Sequence, residues 1–168
     1  MKTFALIKNY FFVLVIALLL VPIGCDDDDD KNEKHTQTYP SEVVREWLDV
    51  QVGMLYAPTG NPFGFNPSRY MAYCGVALYE SVVPGMPEYQ SLQGQLTDMP
   101  AMPATDPGLE YHWPSSANAA LAAMTKNFFS VTSAYNESAI VTLENELNEQ
   151  YRAEVGDAIF ERSVEFGK

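Results

Sequence analysis

The chain has 168 residues, with 10 basic against 22 acidic side chains and a net charge of −12. That length allows one folded domain plus an export segment, and an apolar content of 47% is too high for a disordered polypeptide. A chain this acidic repels phosphates and anionic lipid headgroups, which argues against nucleic-acid binding and against adhesion to membranes through its surface charge. Residues 1–24 read as an export signal: Lys2 and Lys8 supply a positive start, and Tyr10 to Val21 is an apolar run of about a dozen residues. Spanning a bilayer takes roughly 20. Without those 24 residues the chain keeps eight basic and 22 acidic side chains, a net −14.

The signal ends at Pro22-Ile23-Gly24-Cys25. Small Gly24 before Cys25 resembles a bacterial lipobox, in which the cysteine is lipidated and becomes the mature N-terminus; Pro22 departs from the usual Leu of that motif. The alternative is an ordinary secretory signal with Cys25 as an incidental thiol. Lipidation at Cys25 implies a lipid-anchored protein of the cell envelope, with the membrane as its partner. It also leaves Cys74 without a disulfide partner, so a buried free thiol is expected there. Asp26 to Asp30 and then Lys31-Asn32-Glu33-Lys34 follow. Five adjacent carboxylates repel one another and stay extended in water, so residues 25–40 are expected to be an acidic, disordered tether in which His35 is solvated. Acids just after a lipidated cysteine resemble the surface-export signal of Bacteroidetes-type lipoproteins, which would put the chain on the outer-membrane surface of a Gram-negative bacterium. The run has no Gly turn and no ligand spacing for calcium.

Folded structure is expected from Tyr39-Pro40-Ser41, with residues 41–168 as a helical domain. Ser41 is a good N-cap with Glu42 in the first turn. Val44, Trp47, Leu48, Gln51, Met54 and Leu55 form a stripe at helical spacing. Pro58 to Gly64 is turn-rich. Asn66 to Val83 predicts a second helix, with Asn66 as cap, Pro67 at the first position, and Pro84 and Gly85 as stop. Apolar or small residues face almost every direction in it, which marks a central post surrounded by other helices.

Pro84 to Tyr111 is a crossover of nearly 30 residues carrying five prolines and Met86, Met99 and Met102. Connections of that length are commonly functional or laid over a neighbour; a short helix near Glu88 to Gln93 is expected within it. A third helix starts at Pro114 and buries Ala117, Ala120, Leu121, Met124 and Phe128. Asn136 is expected to cap a fourth, with Ile140, Leu143, Leu147 and Tyr151 as its stripe; capping is also preferred to glycosylation for the sequon Asn136-Glu137-Ser138. A last helix opens near Gly156, its Asp157, Glu161 and Glu165 forming a solvated face. The helical pattern still runs at Phe166-Gly167-Lys168 with no stop signal, as though cut within an element.

Catalytic chemistry is sparse. There are two histidines, and a lone His112 cannot build a zinc site without converging Cys or carboxylates. No Gly-x-Ser-x-Gly elbow and no glycine-rich phosphate loop occurs. Ser115 and Ser116 beside His112 suggest a small hydrolase site, but hydroxyls at a helix N-terminus are better read as caps, and His112 as a local hydrogen-bonding group.

Ser68-Arg69-Tyr70-Met71-Ala72-Tyr73 with Val76-Ala77-Leu78-Tyr79-Glu80-Ser81-Val82 resembles the early core helix of the vanadium-dependent haloperoxidase-related proteins, in the type-2 phosphatidic acid phosphatase superfamily. Tyr111-His112-Trp113-Pro114 with Ala117-Asn118-Ala119-Ala120-Leu121-Ala122 is similar to the next helix of that family, and Ser163 to Gly167 to the start of a further one. The resemblance implies an all-α helical bundle around a vanadate or phosphate pocket held by a Lys and Arg pair, a Pro-Ser-Gly-His segment and a later Arg with a His. None of those segments occurs in this sequence, so no catalytic, cofactor-binding or metal residue and no cofactor carries over. The leading expectation is the N-terminal helical scaffold of a haloperoxidase- or acid-phosphatase-like exported lipoprotein, inactive alone. A missing C-terminal half or a second copy of the chain would then be its protein partner. The alternative is a complete, surface-anchored helical binding or scaffold lipoprotein with the Pro/Met-rich crossover as its contact surface.

Overall fold

A computed structural model of the chain describes residues 34–56, 67–129 and 133–168. The export signal, Cys25, the aspartate run and the expected cap Asn66 lie outside the described residues. The described chain is all-α, with five helices and no strand: α1 (Glu42–Leu55), α2 (Pro67–Val82), α3 (Trp113–Phe129), α4 (Ala134–Val155) and α5 (Asp157–Gly167).

The centre of the bundle is α3 rather than α2. Every residue from Tyr111 to Ala122 is buried, and α1, α2, α4 and α5 all pack on this helix. By contrast α2 packs chiefly on α3 and leaves Ala72, Tyr73 and Gly75 exposed. Both helices are small and apolar around most of their circumference, so that pattern alone does not rank them. The difference lies in their polar residues. Ser115, Ser116, Asn118 and Thr125 on α3 are fully buried, and each finds a partner on another helix or on its own turn.

In α1 the buried line is Val43, Trp47, Gln51, Met54 and Leu55. Leu48, placed inward by the sequence stripe, is 40% exposed. Trp47 takes the position facing α3, where its indole N–H donates to Asn118 Oδ1 at 2.7 Å. The buried stripe therefore runs through Trp47 and its neighbours four residues either side. Ser41 occupies the cap position without a side-chain capping bond. The cap of α4 is Ser133, whose hydroxyl accepts from Asn136 N–H at 3.1 Å. Asn136 lies inside the first turn and is buried. Ser133 is extended, at φ −169° and ψ 154°, which lets its side chain fold back over the turn. Gly156 separates α4 from α5 with φ +76°, a conformation that costs a residue with Cβ far more.

The crossover contains turns and no helix at 88–93. Glu80 on α2 explains this. Its two carboxylate oxygens accept from Ser91 Oγ and from Leu92 N–H, both at 2.7 Å. Those bonds pull 91–92 onto α2, and Gly94 turns the chain with φ +79°. Tyr79 adds a bond from its hydroxyl to Gln90 O at 2.8 Å.

Residues 34–40 lie on the bundle as a strap with a single 3-10 turn at Thr36–Thr38. Trp113 Nε1 donates to Lys34 O at 3.0 Å, Thr36 Oγ1 donates to Val82 O at 2.9 Å, and the Tyr39 ring meets His112 edge-on at 5.1 Å. His35 is half-buried. The strap is thus held by the aromatic surface of Trp113 and His112.

Gly85 sits where this strap, Trp113 and the end of α2 meet. A Cβ there would lie 2.2 Å from the Trp113 ring and 2.5 Å from Thr36 Oγ1. Gly85→Ala should therefore lower unfolding stability by about 1–3 kcal/mol through overpacking, measured by urea titration followed by circular dichroism.

Candidate functional site

Two places gather chemistry-bearing side chains: the aromatic slot around His112 and a groove under the crossover. The slot lies at the N-terminus of α3. His112 is 1% exposed and sits between the Tyr39 and Tyr151 rings, each 5.1 Å away and edge-on. Its Nδ1 lies 2.7 Å from Ser115 Oγ, and its Nε2 lies 3.5 Å from a Glu154 carboxylate oxygen. Burial pushes the imidazole down to about 4, against the pull of Glu154, so the ring is neutral at pH 7. A carboxylate only accepts, which puts the ring proton on Nε2 and leaves Nδ1 to accept from the Ser115 hydroxyl. Burial also raises the Tyr39 and Tyr151 phenols, with Glu110 and Glu154 adding to the first and Glu46, Glu154 and Glu42 to the second.

A serine, a histidine and a carboxylate are thus in line, as the sequence-level hydrolase reading of His112 and Ser115 requires. They do not form a working nucleophile. Ser115 has no exposed surface and belongs to the first turn of α3. The two backbone N–H groups nearest it, those of Ser115 and Ser116, both donate to His112 O, so neither is left to hold an oxyanion. Ser116 donates to Ser81 O at 2.7 Å. Ser163 Oγ accepts from His112 N–H at 2.8 Å and donates to Ile159 O at 2.7 Å. The slot locks α3, α4, α5 and the strap together.

A second buried network runs further along α3. Asn118 accepts from Trp47 and donates to Asn148 Oδ1 at 3.0 Å and Glu144 O at 3.3 Å. Gln51 donates to Thr125 Oγ1 at 3.0 Å and to Cys74 Sγ at 3.8 Å. Cys74 is a buried free thiol, as the sequence leads one to expect, and burial pushes its pKa up, which makes it a poor nucleophile. Among the described residues no group of three or more His, Cys, Asp or Glu is placed to hold a metal. Asp157, Glu161 and Glu165 are exposed, and Arg152 pairs with the first two.

The groove has a volume of about 590 Å3, within the range of roughly 300–1,000 Å3 common for small-molecule sites. Its floor is the seam between α2 and α3, where Ala77, Ala120 and Ala123 keep the two helices close. Met124 and Tyr73 form walls, Leu96 to Pro103 of the crossover forms the roof, and Phe166 to Lys168 of α5 closes one end. The lining is mainly apolar, and its charged side chains among the described residues are Glu80, Asp98 and Lys168. The sequence singled out the crossover through its prolines and methionines. It held no sign that the end of α5 would meet the α2–α3 seam, because that contact depends on Gly167. A Cβ at Gly167 would lie 2.2 Å from Ser116 O.

No protein family, characterised protein or solved structure matches the chain. No helix among the described residues is long and apolar enough to cross a membrane.

The slot makes stability pH-dependent with a definite sign. The unfolded His112 takes a proton near pH 6.5 and the folded one near 4, so the unfolded state holds more protons between those values. Stability should fall as pH drops from 6.5 to 4, by about 3 kcal/mol in total from this residue. Urea titrations of the wild type and His112→Gln at several pH values check this: the difference between the two curves should vary across that window and be flat above pH 7.

Proposed function

We propose that the chain is an exported helical binding module, anchored to the cell envelope by lipid on Cys25, whose contact site is the groove under the Pro/Met-rich crossover. The groove itself carries this reading. It is apolar and ligand-sized, and its roof is held by the Glu80 bonds to Ser91 and Leu92 rather than left loose. The rest of the polar interior is engaged in packing: buried side-chain nitrogens and oxygens without a hydrogen bond are absent among the described residues. Chemistry available to a visitor is therefore concentrated at the groove.

A second reading keeps the haloperoxidase- or acid-phosphatase-like scaffold. The segments that carry that resemblance lie on α2, α3 and α5, and the same three helices wall the groove. They would then be the walls of an anion chamber whose cations come from outside this sequence, since Lys168, the one cation of the lining among the described residues, stands with Glu80 and Asp98.

Two measurements test the readings. The environment-sensitive apolar dye 1-N-phenylnaphthylamine should bind the wild type, and Ala123→Trp, which fills the groove from a half-buried position, should weaken it by about tenfold or more, roughly 1.4 kcal/mol. Equal binding by both proteins overturns the binding-module reading. The purified chain should turn over neither p-nitrophenyl phosphate nor bromide with peroxide and vanadate; turnover of either would mean that the chain carries an anion site of its own.

A further inference from the structure

We infer that the strap at 34–40 is an acid-released latch: a proton taken up at His112 frees Tyr39, and the strap with it, while the helical bundle stays folded. Two rings enclose His112. Tyr151 belongs to α4 and is part of the core, whereas Tyr39 belongs to the strap. Among the described residues two hydrogen bonds tie the strap to the bundle, from Trp113 Nε1 to Lys34 O and from Thr36 Oγ1 to Val82 O. The bonds that Thr38 and Tyr39 donate to His35 O and Thr36 O are internal to it. The strap is therefore the cover that can leave without parting two helices. While it is closed, a proton on His112 is poorly accommodated. Nδ1 accepts from the Ser115 hydroxyl, whose one partner among the described residues it is. Protonation turns Nδ1 into a donor, and the hydroxyl hydrogen of Ser115, which has no exposed surface, loses its acceptor. The ring also stands at the N-terminus of α3, the positive end of that helix.

Charges reach the slot from each element around it. On the strap, Lys34 opposes a proton on His112, and His35 is a second titratable group. Glu154 on α4 favours that proton, but its carboxylate is 46% exposed and burial of the ring outweighs it. Glu110, in the loop before α3, acts with Glu154 on Tyr39, and Glu42 and Glu46 of α1 act with Glu154 on Tyr151. From α5, Arg162 lies over the Tyr111 ring and Ser163 holds the His112 N–H. The covered imidazole takes its proton near 4 and an ordinary one near 6.5, so the released state holds more protons between these values and release is favoured as pH falls through them. At pH 4.5 the difference favours release by up to about 80-fold. Two hydrogen bonds of ordinary net strength hold the strap by roughly 25-fold. The proton therefore outweighs them at pH 4.5 and has almost no effect at pH 7. Release uncovers the His112 and Trp113 edge of the bundle. With lipid on Cys25, as proposed above, it would also lengthen the tether by up to roughly 24 Å of extended chain; the release itself does not depend on that anchor.

The two tryptophans make the test direct, because the Trp113 indole N–H bonds to the strap and the Trp47 indole N–H bonds to Asn118 inside the bundle. NMR of the full chain from pH 7 to 4.5 should show the Trp113 indole signal shift and exchange with water, and the amides of 34–40 become mobile, while the Trp47 indole and the amides of α3 to α5 keep their positions. His35→Gln should release in the same way, and His112→Gln should stay closed at pH 4.5. Loss of the Trp47 and Trp113 signals together, a strap that stays ordered at pH 4.5, or release that persists in His112→Gln or vanishes in His35→Gln overturns the inference. Tyr39→Ala supplies a reciprocal readout on the far side of the bond network and leaves the helices intact. With the cover gone, the imidazole of His112 should titrate well above 4, toward 6.5. A titration that stays below about 5 in that variant overturns the inference as well.

Discussion

The structure depends on one helix burying polar side chains and finding a partner for each. Ser115, Ser116, Asn118 and Thr125 on α3 are completely enclosed, yet each is bonded to α1, α2, α4 or its own first turn. An unpaired buried donor or acceptor costs about 1–3 kcal/mol, so only arrangements that meet all of these demands together remain competitive. An all-alanine post could slide or rotate among its neighbours at little cost. Trp47 bonding to Asn118, and Asn118 in turn bonding to Asn148, sets the rotation of α1 and α4 about α3. Specificity of this kind follows from satisfied polar networks in a closely packed core, where a partly met network would be worse than an apolar one.

The same logic governs the N-terminal edge of the bundle. His112 reaches Ser115 with one ring nitrogen and faces Glu154 with the other, while Ser163 ties its backbone N–H to α5. Tyr111 and Trp113 stack on one another, and both meet Phe166 edge-on. The strap at 34–40 then closes over this aromatic cluster. A residue pattern that superficially resembles catalysis is here a joint. The neutral, sealed imidazole gives the joint a rigid geometry at neutral pH and a weakness in acid, because a proton added in that slot has little solvent to share it with.

Much of the helical scheme was legible in the sequence because it rests on short-range signals. Pro67 and Pro114 at helix starts and Gly156 between two helices reappear as read, and of the stripe Ile140, Leu143, Leu147 and Tyr151 all but Leu143 are fully buried, Leu143 packing part-buried against the core. What escaped depended on distant contacts. The small-residue patterns of α2 and α3 are nearly equivalent one chain segment at a time. Only the partners of Asn118 and Thr125, some 70 residues away on α1 at Trp47 and Gln51, identify α3 as the centre. Asn136 was a plausible cap, but Ser133 three residues earlier lay extended and took that place. The crossover was visible as a composition anomaly. Its shape was not, because that is set by Glu80, a residue on another element that reads as an ordinary polar position.

Glu80 also shows how the fold and the candidate site share one device. A carboxylate only 8% exposed on an otherwise small and apolar helix would be costly without partners. The crossover supplies two, and in doing so it is fixed as a roof above the α2–α3 seam rather than collapsing into it. The alanines in that seam let the helices approach closely, which leaves too little side-chain bulk to fill the space beneath the roof. The groove is therefore a consequence of how the core is built: the close helix contact that stabilises the bundle and the ion-dipole contacts that hold the loop together produce an apolar recess with a fixed rim. Any ligand that enters buries the surface of Tyr73 and Leu96, which are 41% and 45% exposed, and gains from the hydrophobic effect without reorganising the helices.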